Sequence, residues 1–298
     1  MQTRCRGWHV SSSFVRCTVS RRTCRRKTDR RPSSEINDAW PCTIKSISNR
    51  CLTNIPSSSS HRALISITSA HATLFQGKET TGVFISEALQ PYNVLTAAAF
   101  EVDLTSETGT FTPDWLSQQP DFLNGEDLAT WQDTNSEFRK KLDNMPKAAD
   151  IDGSRYGIFY ASAGHAALID YPTASTLQKI AGQVWANGGI VSAVCHGPAL
   201  FANLLDPATN EPIIKGKTIT GFTTEAEITM GIMEELRSWG NDMIDEMAAK
   251  LGAKYTRAQG IWDDYHLVDG RLVRGQNPAS ARSTAQAALR PLKSCDHF

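Results

Sequence analysis

Short apolar runs that alternate with stretches of helical period constrain the fold more than any other feature of this sequence. β-Branched and aromatic residues cluster in four such runs, at residues 63–68, 101–105, 156–161 and 189–194. Helical periodicity covers residues 81–100 and 175–186. Nearly continuous apolar strands separated by helices indicate a parallel sheet that is covered on both faces. The sequence therefore predicts one α/β domain over residues 62–298.

Turn signals and helical patterns predict further hairpins and a helix towards the C-terminus. Residues 212–220 and 265–274 are typical of β-hairpins, and the second is expected to turn at Asp269-Gly270. Residues 225–251 indicate a helix with one break near Gly240.

The first 60 residues differ chemically from the rest of the chain. They carry 12 basic side chains against 3 acidic ones, together with 12 serines, although the formal net charge of the whole chain is zero. Such a segment cannot bury enough apolar surface to offset the entropy cost of ordering its backbone. We therefore expect residues 1–61 to be a disordered, basic extension.

The composition of this extension also bears on location. An Arg-rich, Ser-rich and acid-poor N-terminus is typical of an organelle transit peptide. A start codon assigned upstream of the true one explains the same residues equally well. A nucleic-acid-binding arm explains them less well, because no folded basic domain follows. We expect a cytoplasmic protein if the extension is spurious, a mitochondrial one if it is a working presequence, and no nucleic acid as a partner.

Cysteine spacing and hydropathy argue against several classes of protein. Five of the seven cysteines lie in the first 60 residues, and Cys195 and Cys295 are far apart in the remainder. This spacing fits neither a zinc template nor a disulfide scaffold, so we expect a reducing compartment and no metal. Three histidines are too dispersed to indicate a metal site and are expected to be core or surface residues: His71, His165 and His266. No apolar stretch approaches the roughly 18 residues of a membrane span, so no membrane partner is expected.

The most informative motif joins the fourth apolar run to a cysteine. Residues 189–194 run directly into Cys195-His196-Gly197-Pro198, and Pro198 suits the first turn of a helix. This places the thiol on a tight strand-to-helix turn at the carboxyl end of the sheet, where open α/β folds bind ligands. Exposure and a helix N-terminus favour the thiolate, so we interpret Cys195 as a nucleophile with a lowered pKa. The alternative is a buried, small apolar residue that ends a strand.

Other segments supply candidate partners for this thiol. His196 is a candidate base if a carboxylate orients it. Glu227 and Glu225 lie at the start of a predicted helix, where Glu225 is expected to be a surface partner of the helix dipole. Glu87 lies one step from the apolar face of the first helix; if it is buried against the thiol, its pKa should rise and it could exchange a proton. Residues 160–165 end a strand in small residues, whose backbone N–H groups could stabilise an oxyanion.

Together these motifs resemble the PfpI superfamily, and within it the fungal heat-shock chaperones that act as glutathione-independent glyoxalases, called glyoxalase III. The resemblance runs from about Arg62 to the C-terminus and is carried by four segments: residues 81–89, 161–165, 193–199 and 262–265. It implies a PfpI-like, class I glutamine amidotransferase-like domain. The implied fold is a flavodoxin-like three-layer sandwich with a mostly parallel central sheet and a small cap insertion, commonly in a homodimer.

The same resemblance implies a role for each candidate residue. Cys195 corresponds to the nucleophile, His196 and Glu227 to the other members of its triad, and Glu87 to the glutamate that hydrogen-bonds the sulfur. Gly164 and His196 correspond to the backbone oxyanion donors. The implied reaction converts methylglyoxal, a 2-oxoaldehyde, to D-lactate without metal, cofactor or glutathione. An enzyme of this type is a glyoxalase III lyase, or D-lactate dehydratase.

Other functions use the same pattern of residues. A stress chaperone would hold unfolded client proteins on an apolar surface and would not need the thiol. A cysteine peptidase on this scaffold would need a groove long enough for a polypeptide. An amidotransferase is disfavoured, because its nucleophile is usually followed by Gly, whereas His196 follows Cys195 at once. An exposed thiol of low pKa would also suit a redox sensor.

Overall fold

The structure is a computed structural model that describes residues 61–290. The predicted disorder of the N-terminal extension concerns residues outside this range, apart from His61. The strands of the described range are β1 (Arg62–Ile67), β2 (Ala72–Leu74), β3 (Glu79–Thr81), β4 (Glu101–Ser106), β5 (Ile158–Ala161), β6 (Ile190–Val194), β7 (Leu205–Asp206), β8 (Glu211–Pro212), β9 (Thr218–Ile219), β10 (Lys254–Tyr255), β11 (His266–Asp269) and β12 (Leu272–Gly275).

The helices of the same range are short, and none of them is both long and apolar enough to cross a bilayer. The α-helices among them are α1 (Ile85–Ala97), α2 (Gly125–Gln132), α3 (Glu137–Asp143), α4 (Ala167–Asp170), α5 (Ser175–Ala186), α6 (Thr224–Met230), α7 (Met233–Ser238), α8 (Ile244–Lys250) and α9 (Ala281–Ala288).

A six-stranded sheet forms the centre of the domain, in the order β11-β12-β6-β5-β1-β4. All neighbouring strands in it are parallel except β11, which pairs antiparallel with β12. Strands β5 and β6 are buried along their whole length, and β1 is buried except at Arg62. Burial on both faces explains why these strands are continuous apolar runs in the sequence.

Helices cover both faces of this sheet. Helix α1 connects β1 to β4, whereas α3 and α5 lie in connections that run across the sheet in the opposite direction. Because parallel crossovers are right-handed, the two directions place these helices on opposite faces. Helix α9 packs on α1 and on β6 and β12. The predicted three-layer α/β sandwich with a mostly parallel sheet is confirmed.

The first helix is shorter than the periodicity predicts. It begins at Ile85 rather than at residue 81, because the preceding backbone is bonded to other segments. The N–H of Val83 donates to Thr112 O at 2.8 Å, and that of Phe84 donates to Ala163 O at 2.6 Å. A helix through these residues would lose both bonds.

One of the two predicted hairpins is wrong. Residues 212–220 do not pair with themselves: β8 pairs antiparallel with β7, and β9 pairs parallel with the distant β10. The local pattern was right for strands but could not reveal the non-local partner. The hairpin at residues 265–274 is confirmed, since β11 and β12 pair across a turn at Gly270, whose φ is +57°.

Three helices replace the single broken helix predicted for residues 225–251. Helices α6, α7 and α8 are separated at Gly231 and Gly240, whose φ angles of +73° and +76° end a helix in the left-handed region. The break at Gly240 is confirmed, and the break at Gly231 was missed. These three helices and strands β7–β10 lie between β6 and β11 in the chain, and none of the four strands belongs to the six-stranded sheet. This segment is therefore an insertion into the sandwich.

Candidate active site

Cys195 occupies a strained turn between β6 and a 3-10 helix, Gly197–Asn203. Its φ of +59° lies in the left-handed region, which residues other than glycine rarely adopt. The N–H of Cys195 donates to Gly275 O at 3.1 Å, and its carbonyl accepts from Phe222 N at 2.8 Å. Both backbone groups of the strained residue are therefore held by neighbouring segments, which places the thiol at the carboxyl end of the sheet as predicted.

The thiol differs from the prediction in exposure and in acidity. Cys195 is only 2% exposed. Burial, and next the nearby carboxyl group of Glu87, raise the pKa of the thiol well above its ordinary value. The expectation of an exposed thiolate with a lowered pKa is wrong, because the short 3-10 helix does not offset the loss of solvent. The resting group is a neutral thiol, and attack by its sulfur needs a base nearby.

His196 and Glu227 supply such a base in the right orientation. Nδ1 of His196 lies 3.3 Å from Sγ of Cys195, and its Nε2 lies 2.6 Å from Oε1 of Glu227. Because a carboxylate only accepts hydrogen bonds, Nε2 carries the hydrogen and Nδ1 presents its lone pair to the thiol. Burial lowers the pKa of His196, and Glu227 opposes this only in part, so the imidazole is neutral at neutral pH.

Glu87 approaches the thiol from the first turn of α1 and is fully buried. Its Oε2 accepts a hydrogen bond from Ala163 N at 3.2 Å. Burial raises the pKa of Glu87 to about 8, although its interactions with Cys195 and with Ala163 N–H oppose the shift. The expected pKa rise on burial against the thiol is confirmed, and the carboxyl group is largely protonated at neutral pH. Glu225, by contrast, is an exposed partner of Arg257 at 2.5 Å, in line with its expected surface position.

Gly164 lies in the loop that follows β5. Its N–H makes no hydrogen bond with any other residue in the range 61–290. The adjacent Ala163 is fixed on both sides, since its N–H donates to Glu87 and its carbonyl accepts from Phe84 N. A free N–H on a fixed loop beside the thiol suits an oxyanion donor, and that role of Gly164 stays a prediction.

Sequence reasoning missed two residues of this site. Nε2 of His165 lies 3.1 Å from Oε2 of Glu227, and Nδ1 of His165 lies 4.0 Å from Oδ2 of Asp114. Both residues are buried. From the sequence, His165 was expected to be only a core or surface histidine, in a loop after β5 that was considered for its backbone N–H groups. Asp114 follows Pro113 in a segment without periodic pattern, so no local signal connects it with the cysteine.

The same residues offer the ligand types of a metal site. One ligand atom each of His165, His196 and Glu227 lies within 4.8 Å of the others. However, both Nε2 atoms face the oxygens of Glu227 at hydrogen-bonding distance, which requires a hydrogen on each nitrogen. This geometry fits a hydrogen-bonded set better than a ligand set. The absence of a metal stays a prediction from the sequence.

An aromatic cover, formed by Phe222, Trp262 and Phe122, connects the site with the surface. The Phe222 ring lies 4.8 Å from the ring of His196, and Trp262 lies 5.7 Å from Phe222 and 5.6 Å from Phe122. Phe222 is buried, whereas Trp262 is 39% exposed. Trp262 and Phe122 also line a cavity of about 600 Å³ that reaches Ser86, the neighbour of Glu87.

Comparisons with known proteins agree with this site and fold. The chain is 48% identical over 228 residues to Glyoxalase 3 of Candida albicans. The aligned region covers 76% of this chain and 97% of that protein. It is 45% identical over 232 residues to a glutathione-independent glyoxalase of Saccharomyces cerevisiae, covering 78% of this chain and 98% of that protein. The crystal structure of glyoxalase III from Candida albicans has a TM-score of 0.76 to this structure at 47% identity, again over 78% of this chain and 98% of that one.

No protein-family model matches the chain. The matches nevertheless cover almost the whole length of these relatives, and the solved structure has the same fold, so the resemblance found in the sequence is confirmed. The chain belongs to the family of glutathione-independent glyoxalases.

Proposed function

We propose that this protein is an enzyme that converts methylglyoxal to lactate without glutathione, with Cys195 as its nucleophile. The observation that carries the proposal is the line of three groups from the thiol through His196 to Glu227, at 3.3 Å and 2.6 Å. A neutral imidazole whose bare nitrogen faces a buried thiol is a general base for that thiol. Membership of the glyoxalase family supports a small 2-oxoaldehyde as the substrate.

In the first step, Sγ of Cys195 bonds to the aldehyde carbon while its proton passes to Nδ1 of His196. The imidazolium is stabilised by the carboxylate of Glu227. The N–H groups of Gly164 and His196 stabilise the oxyanion. Transfer of the proton from His196 to that oxygen completes a hemithioacetal and restores the neutral imidazole.

The second step moves a proton from the first carbon of the substrate to the second. His196 removes the proton from the first carbon, while Glu87 donates a proton to the carbonyl oxygen of the second, which gives an enediol. His196 then returns its proton to the second carbon, and Glu87 recovers one from the first hydroxyl. The product is a thioester of lactate, and both groups end in their initial states. A carboxyl group with a pKa of about 8 suits this exchange, because it gains and loses a proton near neutral pH.

Hydrolysis completes the cycle. Water attacks the thioester carbon, the Cys195 sulfur leaves and is protonated, and lactate is released. The net reaction is methylglyoxal plus water to lactate, and its reverse is a dehydration. We therefore assign the enzyme to the hydro-lyases as a D-lactate dehydratase.

The test is lactate formation from methylglyoxal by the purified full chain in buffer that contains no glutathione. We expect Cys195→Ala to lower kcat on the order of 10³-fold or more. Cys295→Ala, which removes another thiol of the same chain, should retain the activity. Turnover by the Cys195 variant at the unmodified rate would contradict the proposal.

Two further expectations from the sequence join this proposal. The homodimer implied by the resemblance is tested by sedimentation of the full chain, and the cytoplasmic location by imaging a C-terminally tagged protein with and without residues 1–61. Mitochondrial signal that depends on residues 1–61 would identify them as a presequence.

A further inference from the structure

His165 lies between two buried carboxyl groups. Its Nε2 is 3.1 Å from Oε2 of Glu227, and its Nδ1 is 4.0 Å from Oδ2 of Asp114. Glu227 is shared, because its other oxygen binds His196 at 2.6 Å. The acidic member of the proposed triad therefore has two imidazole partners, of which only His196 reaches the sulfur.

Asp114 is fixed in place behind His165. Its Oδ2 accepts from Thr81 Oγ1 at 2.6 Å, and its Oδ1 accepts from the N–H groups of Leu116 and Ser117 at 2.8 Å and 3.1 Å. The residue is fully buried. A carboxylate held by three donors keeps a negative oxygen directed at Nδ1 of His165.

The position of Nδ1 indicates the charge of His165. This nitrogen is buried and makes no hydrogen bond within the described range. A bare lone pair opposite the oxygen of Asp114 would be repelled, whereas an N–H would be attracted. Nε2 must also carry a hydrogen in order to donate to Glu227. With hydrogens on both nitrogens, His165 is an imidazolium.

We propose that His165, held by Asp114, is a positioning residue of the glyoxalase site: it fixes Glu227 in its ionised, hydrogen-bond-accepting form and thereby leaves His196 as the neutral base. The proposal rests on the proposed function. Beside Cys195, His196, Glu227 and Glu87, the site then needs a second imidazole, that of His165, and a third carboxyl group, that of Asp114.

The charges around His165 support this assignment. Glu227 faces it from α6 and Asp114 from the segment after β4. The ring of His196, in the cysteine turn, lies 4.7 Å from its ring, centroid to centroid, and Glu87 interacts with it from α1. Burial by itself lowers the pKa of His165, but Glu227 and then Asp114 raise it to about 10. Burial raises the pKa of Glu227, yet His165 and His196 lower it to about 2.

The same charge acts on the base. Two imidazolium rings with centroids 4.7 Å apart repel each other, so in the resting site only one of them is charged; when His196 takes the thiol proton, the Glu227 carboxylate that both rings share offsets this repulsion. Because His165 takes the charge, protonation of His196 is disfavoured, and its lone pair stays available to the thiol. His165 thus acts on the sulfur only through Glu227 and His196.

Nitrogen NMR of the full chain labelled with ¹⁵N-histidine tests the charge directly. We expect two protonated ring nitrogens on His165 at neutral pH, and on His196 a single one, Nε2. In Asp114→Asn, loss of the facing negative charge should let His165 lose its second proton at a lower pH than in the wild type. Ser117→Ala removes a hydrogen bond to the backbone carbonyl of Asp114 and leaves the carboxylate intact, so His165 should titrate as in the wild type. A single protonated nitrogen on His165 of the wild type at neutral pH would overturn the proposal.

A second experiment tests how the charge of His165 affects the reactivity of the Cys195 thiol. His165→Gln retains a hydrogen-bond donor, in its side-chain amide, but removes the positive charge. Loss of that charge should raise the pKa of the titratable groups that remain around it, Cys195 and His196 among them. The acidic limb of Cys195 alkylation, measured by mass spectrometry of the Cys195 peptide, should move to higher pH by on the order of one to two units. The acidic limb of kcat/KM should move with it, and Ser117→Ala should move neither. If His165→Gln lowers kcat but leaves the acidic limbs of both pH profiles at their wild-type positions, His165 has only a structural role and the proposal is overturned.

These measurements separate the two proposals. The NMR spectrum and the alkylation profile need no substrate, so they report on His165 even in a protein that does not turn over methylglyoxal. If His165→Gln does not fold, the ¹⁵N-histidine spectrum of the wild type tests the charge of His165 without it, and a single protonated ring nitrogen would still overturn the proposal.

Discussion

Gly164 packs directly on the backbone of Gly82, and a Cβ atom on Gly164 would lie 2.0 Å from the carbonyl oxygen of Gly82. Its φ of +152° is also one that L residues rarely adopt. The contact joins the loop after β5, which carries Gly164, to the segment that leads into α1, whose first turn carries Glu87. Glycine at this position therefore fixes the position of Gly164, the predicted oxyanion donor, relative to Glu87.

We expect Gly164→Ala to lower the free energy of unfolding by roughly 2 to 5 kcal/mol, because it combines backbone strain with overpacking. Gly188→Ala is the matched control. Gly188 also has a positive φ, +82°, but a Cβ atom there meets nothing within 4 Å, so the loss should be about 1 kcal/mol. Urea unfolding of both variants measures the difference. Equal losses would contradict the close contact.

The raised pKa of Glu87 predicts a pH-dependent stability. The pKa is about 8 in the folded protein and about 4.5 when unfolded, so the folded state holds this proton more tightly. The stability that Glu87 contributes is fully present below about pH 4.5 and is lost as the pH rises through about 8. Glu87→Gln, which stays neutral, should therefore gain stability relative to the wild type between pH 5 and pH 9, by on the order of a few kcal/mol.

Glu137→Gln is the control for that comparison, because Glu137 is an exposed residue of α3. Its stability difference from the wild type should change little over the same pH range. Urea unfolding curves at both pH values give the two differences. A Glu87→Gln difference that is constant with pH would mean that the carboxyl group keeps an ordinary pKa in the folded protein.

The aromatic cover predicts how reagents reach the thiol. Trp262 packs on Phe222, which in turn packs on His196. We expect Trp262→Ala to increase the rate of Cys195 alkylation several-fold, because a partly exposed ring no longer covers Phe222. Trp185→Ala, which removes a ring that stacks on Arg271 at 3.9 Å, should leave the rate unchanged. No change in the Trp262 variant would show that the thiol is reached by another route.

Much of the fold could be predicted because its patterns are local. Helix α5 has the predicted bounds, Ser175–Ala186, and the four sheet strands lie within two residues of the predicted runs. Each of these elements is buried along a continuous face, so its apolar residues recur in the sequence with the spacing of a helix or form the continuous run of a buried strand. The cysteine turn was predictable for the same reason, since a buried strand ends there in Cys195 and a proline follows.

The rest depends on contacts that no local pattern records. The parallel pairing of β9 with β10 joins segments more than 30 residues apart, so residues 212–220 were mistaken for a hairpin. The burial of Cys195 depends on its surroundings, and the sequence therefore predicted the wrong direction for its pKa. His165 and Asp114 meet only through the fold, and neither carries a signal of its own.

The most direct measurement is the mass of the Cys195 peptide during turnover, from samples quenched in acid within milliseconds of mixing with methylglyoxal. We predict an increase equal to the mass of one methylglyoxal on Cys195, and release of lactate hydroxamate when hydroxylamine is added. Turnover at the full rate while every Cys195 thiol stays unmodified would contradict it.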